Sequence, residues 1–408
     1  MAQTVVADNP RRPYLLGGAL ALAVLLLVAQ FALAPQAFTS LPLYDFVEYW
    51  AAGRLTLRGE NPYDIDRMEQ VQREAGRTDE GILMWNPPWT LPVVLPLGLL
   101  DVRTAHLVWL CSHFLVLGFC ADRLWRLYGG AADYRWVSWG LALTFLPCYF
   151  ALTAGQISPL ILLGAVLFLH FSERRSDLLM GAAAVLLAIK PHLGYLFWIA
   201  LLFWAVRERR WKVLAAGGAT GLLLTAIPLT FDHALLQQYW HAFTSQPPAQ
   251  YRSPTLAHCL RVLIDPDNFR LQFLAMIPGL VWFVPWFYCH RRHWDWKEQM
   301  PLLLLMSVLT TAYGGWPFDL VLLLVPVIQV AARLQSEGVS RWRAVAGAAH
   351  VIIGLAAVAQ IALGVEYFWF IWMCPVLLAA YVGFGLFVAK PQAADAARSC
   401  ISPPAGLQ

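Results

Sequence analysis

The sequence predicts an all-α protein that crosses a lipid bilayer many times, and three observations carry that expectation. Charged residues make up 13% of the 408 and hydrophobic residues 59%, with a mean hydropathy of +0.56. Soluble domains carry about 25% charged residues, and half of that leaves too little polar surface to face water on all sides. Apolar runs of crossing or near-crossing length recur from end to end. Nineteen tryptophans fit a chain with many membrane–water boundaries.

The runs fall near 14–34, 104–121, 136–152, 157–171, 177–189, 193–206, 213–230, 271–289, 300–313, 316–332, 344–363 and 367–389. About twelve membrane helices follow, those between 136 and 206 being short. The first run, after Asn9-Pro10-Arg11-Arg12, is about 20 residues, longer than the apolar segment of a signal peptide, and is read as a retained helix. The chain is then one transmembrane domain, 1–408, with cytoplasmic tails at 1–12 and 391–408 and two long outer loops, 35–103 and 231–270.

Arginine and lysine orient it. With the N-terminus inside, 19 of the 29 Lys and Arg fall on the cytoplasmic side, and every short basic connection lies there, among them Arg174/Arg175, Arg207/Arg209/Arg210 and Arg291/Arg292. Both termini are then cytoplasmic, in a cell inner (plasma) membrane. A net charge of +4 with scattered basic residues gives no nucleic-acid footprint. Seven cysteines without C-x-x-C spacing imply neither a disulfide framework nor a zinc site. No Walker or G-x-G-x-x-G element offers a nucleotide site.

The outer connections hold the chemistry. Asp45 and Glu48, in Leu43-Tyr44-Asp45-Phe46-Val47-Glu48-Tyr49-Trp50, share one face of a short helix expected to lie in the membrane interface. Asp45, a carboxylate just beyond a membrane helix, suits a general base, an ion ligand or a helix N-cap. Trp85-Asn86-Pro87-Pro88-Trp89 leads back toward the membrane, with Trp85 and Trp89 as interface anchors. Gly155-Gln156-Ile157-Ser158 puts an amide between two spans. Lys190-Pro191-His192 places two potential cations at a boundary with no carboxylate near in sequence, where the bland alternative for Lys190 is snorkelling. Asp319 opens a span, where a carboxylate costs roughly 2.5–3.5 kcal/mol unless it serves a purpose such as capping or catalysis.

Taken in order, Asp45-Phe46-x-x-Tyr49-Trp50-x-Ala52-Gly53, Asn61-Pro62-Tyr63-Asp64, Asn86-Pro87-Pro88, Gly155-Gln156, Lys190-Pro191 and Phe318-Asp319-Leu320 resemble glycosyltransferase family 87. That family is of GT-C type and includes bacterial polyprenyl-phosphate-mannose-dependent α-mannosyltransferases. The resemblance implies a GT-C fold and an inverting hexosyl transfer, with mannose the expected sugar. The donor would be a polyprenyl-phosphate sugar and the acceptor an envelope glycan or glycolipid, with membrane lipids as the other partners. It implies Asp45 as catalytic carboxylate; Glu48, Tyr49, Asn86, Gln156 and Asp319 are candidates for contacting substrate. Lys190, His192, Arg54 and Arg261 are candidates for the donor phosphate, and neither cofactor nor metal is expected. Ser253-x-x-Leu256 with Arg261 matches the family's pattern only loosely. The histidine pair that one branch carries is absent from Gly315-Trp316-Pro317-Phe318-Asp319. The rival classes are a lipid or glycolipid transporter or flippase, which puts charge at midplane in repeated halves, and a scaffold, which needs no carboxylate beside the first span.

Overall fold

The computed structural model describes residues 43–249, 251–336 and 340–388; the first predicted span and both tails lie outside them. Every regular element among the described residues is a helix. Six of these are long and apolar enough to cross a membrane: Val102–Leu127, Trp211–Leu229, Phe269–His293, Asp319–Ser336, Arg341–Ala362 and Tyr367–Gly385. Ala132–Thr144 and Leu146–Thr153 make a seventh if the two, bent by 56°, form one span. The other predicted spans are shorter helices. Ser158–Glu173 has 16 residues and Asp177–Leu187 only 11, about 24 Å and 16 Å at 1.5 Å per residue.

The order begins with α1 (Phe46–Leu57), α2 (Ile65–Glu74), α3 (Leu91–Gly98), α4 (Val102–Leu127), α5 (Arg135–Thr144), α6 (Leu146–Thr153), α7 (Ser158–Glu173) and α8 (Asp177–Leu187). It continues with α9 (Tyr195–Arg207), α10 (Trp211–Leu229), α11 (Leu235–Ser245), α12 (Leu256–Ile264), α13 (Met276–His290), α14 (Trp296–Leu309), α15 (Leu324–Ser336), α16 (Ser340–Ala362) and α17 (Met373–Val388).

Polar contacts at the connections show how these helices alternate. Arg210 reaches Asp177 at 2.9 Å, Lys297 reaches Glu173 at 3.4 Å, Arg333 pairs with Glu298, and Ala131 N–H donates to Gln335 at 2.9 Å. The ends of α7, α9 and α15 and the starts of α8 and α14 therefore meet at one end of the bundle. At the opposite end Ser158, Lys190 and Asp319 meet one another. Connections carrying Arg210, Lys297 and Arg333 thus gather at one end of the bundle, and Ser158, Lys190 and Asp319 at the other.

One expectation changes. The helix expected to lie in the interface, α1, buries ten of its twelve residues, Glu48 among them, so it is enclosed by protein. It crosses α3 at glycines: a Cβ on Gly53 would fall 2.4 Å from Val94 O, and one on Gly98 2.5 Å from Arg54 N. The exposed partner is α2, which Asp64 caps by accepting from Asp66 N–H and Arg67 N–H. Its outward face holds Arg67, Arg73 and Glu74.

Candidate active site

Asp45 immediately precedes α1, but it is not the helix cap its position suggests: its side chain accepts nothing from the first turn. The carboxylate turns away, and Oδ2 accepts from Gln156 Nε2 at 2.7 Å. Two backbone features aim it. Tyr44 holds a φ of 38°, a left-handed conformation rare outside glycine. Asp45 N–H donates to Ala154 O at 3.0 Å, binding the start of α1 to the loop after α6. That loop needs Gly155, whose φ is +67° and whose Cβ position is 2.6 Å from Phe46 Cβ. The Gly155-Gln156 pair is therefore a fit: the glycine lets the chains touch, and the amide then reaches the carboxylate.

Gln156 is held in one orientation. Its Oε1 accepts from Tyr49 Oη at 2.9 Å and from Lys190 Nζ at 2.9 Å. An ammonium can only donate, so the amide oxygen must face Lys190 and the amide N–H must face Asp45. Lys190 Nζ also donates to Asp319 Oδ1 at 2.8 Å, and Ser158 Oγ donates to that same oxygen at 2.7 Å. The remaining Asp319 oxygen takes Trp316 N–H at 3.3 Å. Phe318 lies beneath the ammonium, 5.1 Å from it. The result is a chain, Asp319–Lys190–Gln156–Asp45, in which Lys190 is far from snorkelling: its partner is a carboxylate 129 residues away.

A broken helix presents Lys190. α8 ends at Leu187, and Pro191 begins a short 3-10 turn, so carbonyls at the end of α8 lose their intrahelical partners. Trp89 Nε1 donates to Ala188 O at 3.0 Å and Asn86 Nδ2 to Ile189 O at 3.2 Å. Asn86 thus supports the break behind Lys190, its amide N–H engaged with backbone. Trp85, expected as an interface anchor, donates to Gln246 O at 2.9 Å and ties the two long loops together.

The electrostatics divide the two carboxylates of α1. Burial raises the half-buried Asp45 carboxyl above the usual carboxylate range, opposed by the Gln156 hydrogen bond and then by Lys190. Burial, and next the Asp45 charge, raises Glu48 much further, and no hydrogen bond reaches its carboxyl among the described residues. Asp45 is the member of the pair that ionises first. Its Oδ1 takes no hydrogen bond among the described residues, which leaves one oxygen available to a hydroxyl proton.

The other sequence candidates lie elsewhere or are engaged. His192 is held neutral by burial, its imidazole pKa lowered to about 4, and its Nε2 is buried without a partner among the described residues. Arg54 is nine residues along α1 from Asp45, roughly 13 Å at 1.5 Å per residue, and its guanidinium lies over Trp50. Arg261, buried on α12, donates to Ala249 O at 3.0 Å and lies over Phe269, holding the second long loop in shape. Among the described residues no group of three or more His, Cys, Asp or Glu converges as metal ligands do.

Sequence reasoning missed Ser158 and Arg77. Ser158 stood in a quoted motif, but its tie to Asp319 spans 161 residues and leaves no local signal. Arg77 belongs to no motif. Its Nη1 donates to Tyr44 O at 3.1 Å, one residue before Asp45.

Compared with known proteins, residues 85–313 match the model of glycosyltransferase family 87, more than half of the chain. No curated protein and no solved structure matches it.

Proposed function

The chain belongs to glycosyltransferase family 87, and from that membership we propose that it moves a hexose, mannose by family resemblance, from a polyprenyl-phosphate donor to an envelope glycan or glycolipid. The fold that suits this reading is of GT-C type, with about twelve membrane helices in an inner membrane, both termini cytoplasmic and the site at the outer face. The observation that carries the reading is Asp45: one carboxylate oxygen fixed by Gln156, the other open, at the end of the bundle where both long loops meet.

In the proposed reaction an acceptor hydroxyl oxygen attacks the anomeric carbon as Asp45 Oδ1 takes its proton. The bond between that carbon and the phosphate oxygen breaks, its electron pair leaves on the phosphate, and configuration inverts. General-base help of this kind contributes typically 10²–10⁴ in rate. A carboxyl raised toward the working pH is a stronger base than an ordinary aspartate. Lys190 and Asp319 act through Gln156, holding the amide so that Asp45 is preorganised rather than solvated. Glu48, neutral beside it, suits a donor to a sugar hydroxyl, and Tyr49 keeps the amide in plane. The donor is lipid-linked, so a nucleotide fold is unnecessary, and protein cations suffice for a single phosphate.

The test is transfer by purified, lipid-depleted protein from radiolabelled polyprenyl-phosphate sugars to extracted envelope glycans. Activity with GDP- or UDP-sugars instead defeats the donor assignment, and a cation-reversible loss in EDTA defeats the metal-free one. Orientation is tested separately by single cysteines in intact cells. Those at Arg175, Arg209 and Arg292 are expected to resist an impermeant thiol reagent, and one within 66–78 to react.

A further inference from the structure

The leaving phosphate passes from one negative charge to two, so a cation must meet it, and the structure offers an unexpected one. Lys190 is already paired with Asp319 at 2.8 Å. His192 is uncharged, Arg54 lies on Trp50, and Arg261 is engaged with the second long loop. Arg77 differs from all four. It follows Gly76, whose φ of +97° turns the chain back at the end of α2, and its guanidinium returns to the start of α1. Nε donates to Glu80 O at 2.8 Å and Nη1 to Tyr44 O at 3.1 Å. Among the described residues Nη2 donates to nothing, and no carboxylate pairs with the group.

We propose that Arg77 is the phosphate-binding residue of this site, its open Nη2 edge taking the phosphate of the lipid-linked donor beside Asp45. The proposal rests on the donor assignment above and deepens it. Three features support it. Tyr44, whose carbonyl Arg77 holds, directly precedes the base, so the cation and the carboxylate are fixed to the same strained turn. Two of the five guanidinium donors are anchored on backbone carbonyls, so the remaining edge is presented with little rotamer entropy left to lose. Arg77 is also among the charges that pull the Asp45 and Glu48 carboxyls down against burial, which places it within electrostatic reach of both. The arrangement spares the base as well: a phosphate neutralised by Arg77 does not hold Asp45 protonated.

The test compares farnesyl monophosphate with farnesol, two probes sharing a chain and differing in the phosphate, by titration calorimetry on the full-length protein in detergent. Wild type is expected to prefer the phosphate. Arg77→Gln, which keeps a donor for Tyr44 O, is expected to weaken farnesyl phosphate on the order of tenfold or more while leaving farnesol unchanged. Arg77→Lys is expected to fall between, with its phosphate binding still salt-sensitive. Equal binding of farnesyl phosphate by wild type and Arg77→Gln, or equal loss of both probes, overturns the proposal and leaves Arg77 as a clamp on Tyr44. Should Arg77→Gln not fold, Arg77→Lys decides alone: weaker phosphate binding with farnesol spared supports the site, and unchanged discrimination overturns it. A wild type that cannot tell phosphate from alcohol defeats the donor assignment instead, a different and separable failure.

Discussion

The two ends of the helix bundle handle charge in opposite ways. At the basic end, Arg210–Asp177, Lys297–Glu173 and Arg333–Glu298 are simple pairs whose basic members keep 28–38% of their side-chain surface exposed. Such pairs contribute about 0–1 kcal/mol each, because water already solvates both partners. At the other end Lys190 and Asp319 keep 13% and 1%, and their connection runs on through Gln156 to Asp45. Burying charge is costly unless the pair is well partnered; here Lys190 donates to Asp319, Gln156 and Ser158, and Asp319 also accepts from Ser158 and Trp316 N–H. The costlier arrangement is the one that contains Asp45, the base of the proposed reaction.

The sharpest break in that comparison is Asp45→Asn. It preserves shape and can still meet Gln156, but it has no basicity, so transfer is expected to fall on the order of 10²-fold or more with folding intact by thermal unfolding. Near-normal turnover moves the base to Glu48 or Asp319. Next comes Lys190→Met, which strands a buried Asp319 and is expected to cost roughly 3–5 kcal/mol of stability. It should also lower kcat and kcat/KM together, as expected of a group that acts in the transition state. The double variant Lys190→Met/Asp319→Asn removes both charges and is expected to regain most of the stability but little of the turnover, since Gln156 has lost the ammonium that orients it. Recovery of both makes the pair structural only.

Much of this end was legible in sequence. Asp45, Gln156, Lys190 and Asp319 each stood out as a polar group beside an apolar run, and the structure brings the four into one hydrogen-bonded chain. Their partnerships were not legible, because Lys190 and Asp319 are 129 residues apart and neither flank carries a complementary charge. The surroundings of Arg54 and Arg261 were not legible either: Arg54 lies over Trp50, and Arg261 donates to Ala249 O. Spans were legible as apolar runs and less so as lengths. Prolines and glycines cut the runs between 136 and 206 into helices too short to pass as spans alone. Helix α1 read as interfacial because Asp45 and Glu48 share one face and Phe46, Val47, Trp50 and Leu57 make an apolar side, but tertiary packing buries Glu48 as well.

A smaller effect separates the members of the carboxylate pair. The proposed base must be ionised, so activity is expected to fall as pH drops through the Asp45 pKa, which burial sets above the ordinary aspartate value. Gln156→Leu deletes the hydrogen bond that opposes burial. The acid limb of the kcat/KM profile is therefore expected to move to higher pH, with lower activity at every pH. Glu48→Gln is expected to leave that limb in place, because burial keeps Glu48 neutral while Asp45 titrates. A limb that moves with Glu48→Gln and not with Gln156→Leu exchanges the two roles.

The smallest expected effect lies at the basic end. Glu298, at the start of α14, pairs with Arg333, near the end of α15, and both side chains keep about a third or more of their surface in solvent. Glu298→Gln removes the charge and keeps a hydrogen-bond acceptor, so the pair's loss is bounded by the modest value of an exposed ion pair, under about 1 kcal/mol. Glu298 also sits in the first turn of α14, where a negative charge favours the helix dipole by about 0.3–1 kcal/mol. Both terms act on stability and both are screened by salt. The expected result is a small drop in unfolding temperature that shrinks as salt rises, with kcat and KM within about twofold of wild type. A tenfold loss of kcat at unchanged KM has another meaning: charge at one end governs chemistry at the other, and the helical span Asp319–Ser336, a 3-10 turn continued by α15, is the element to carry it.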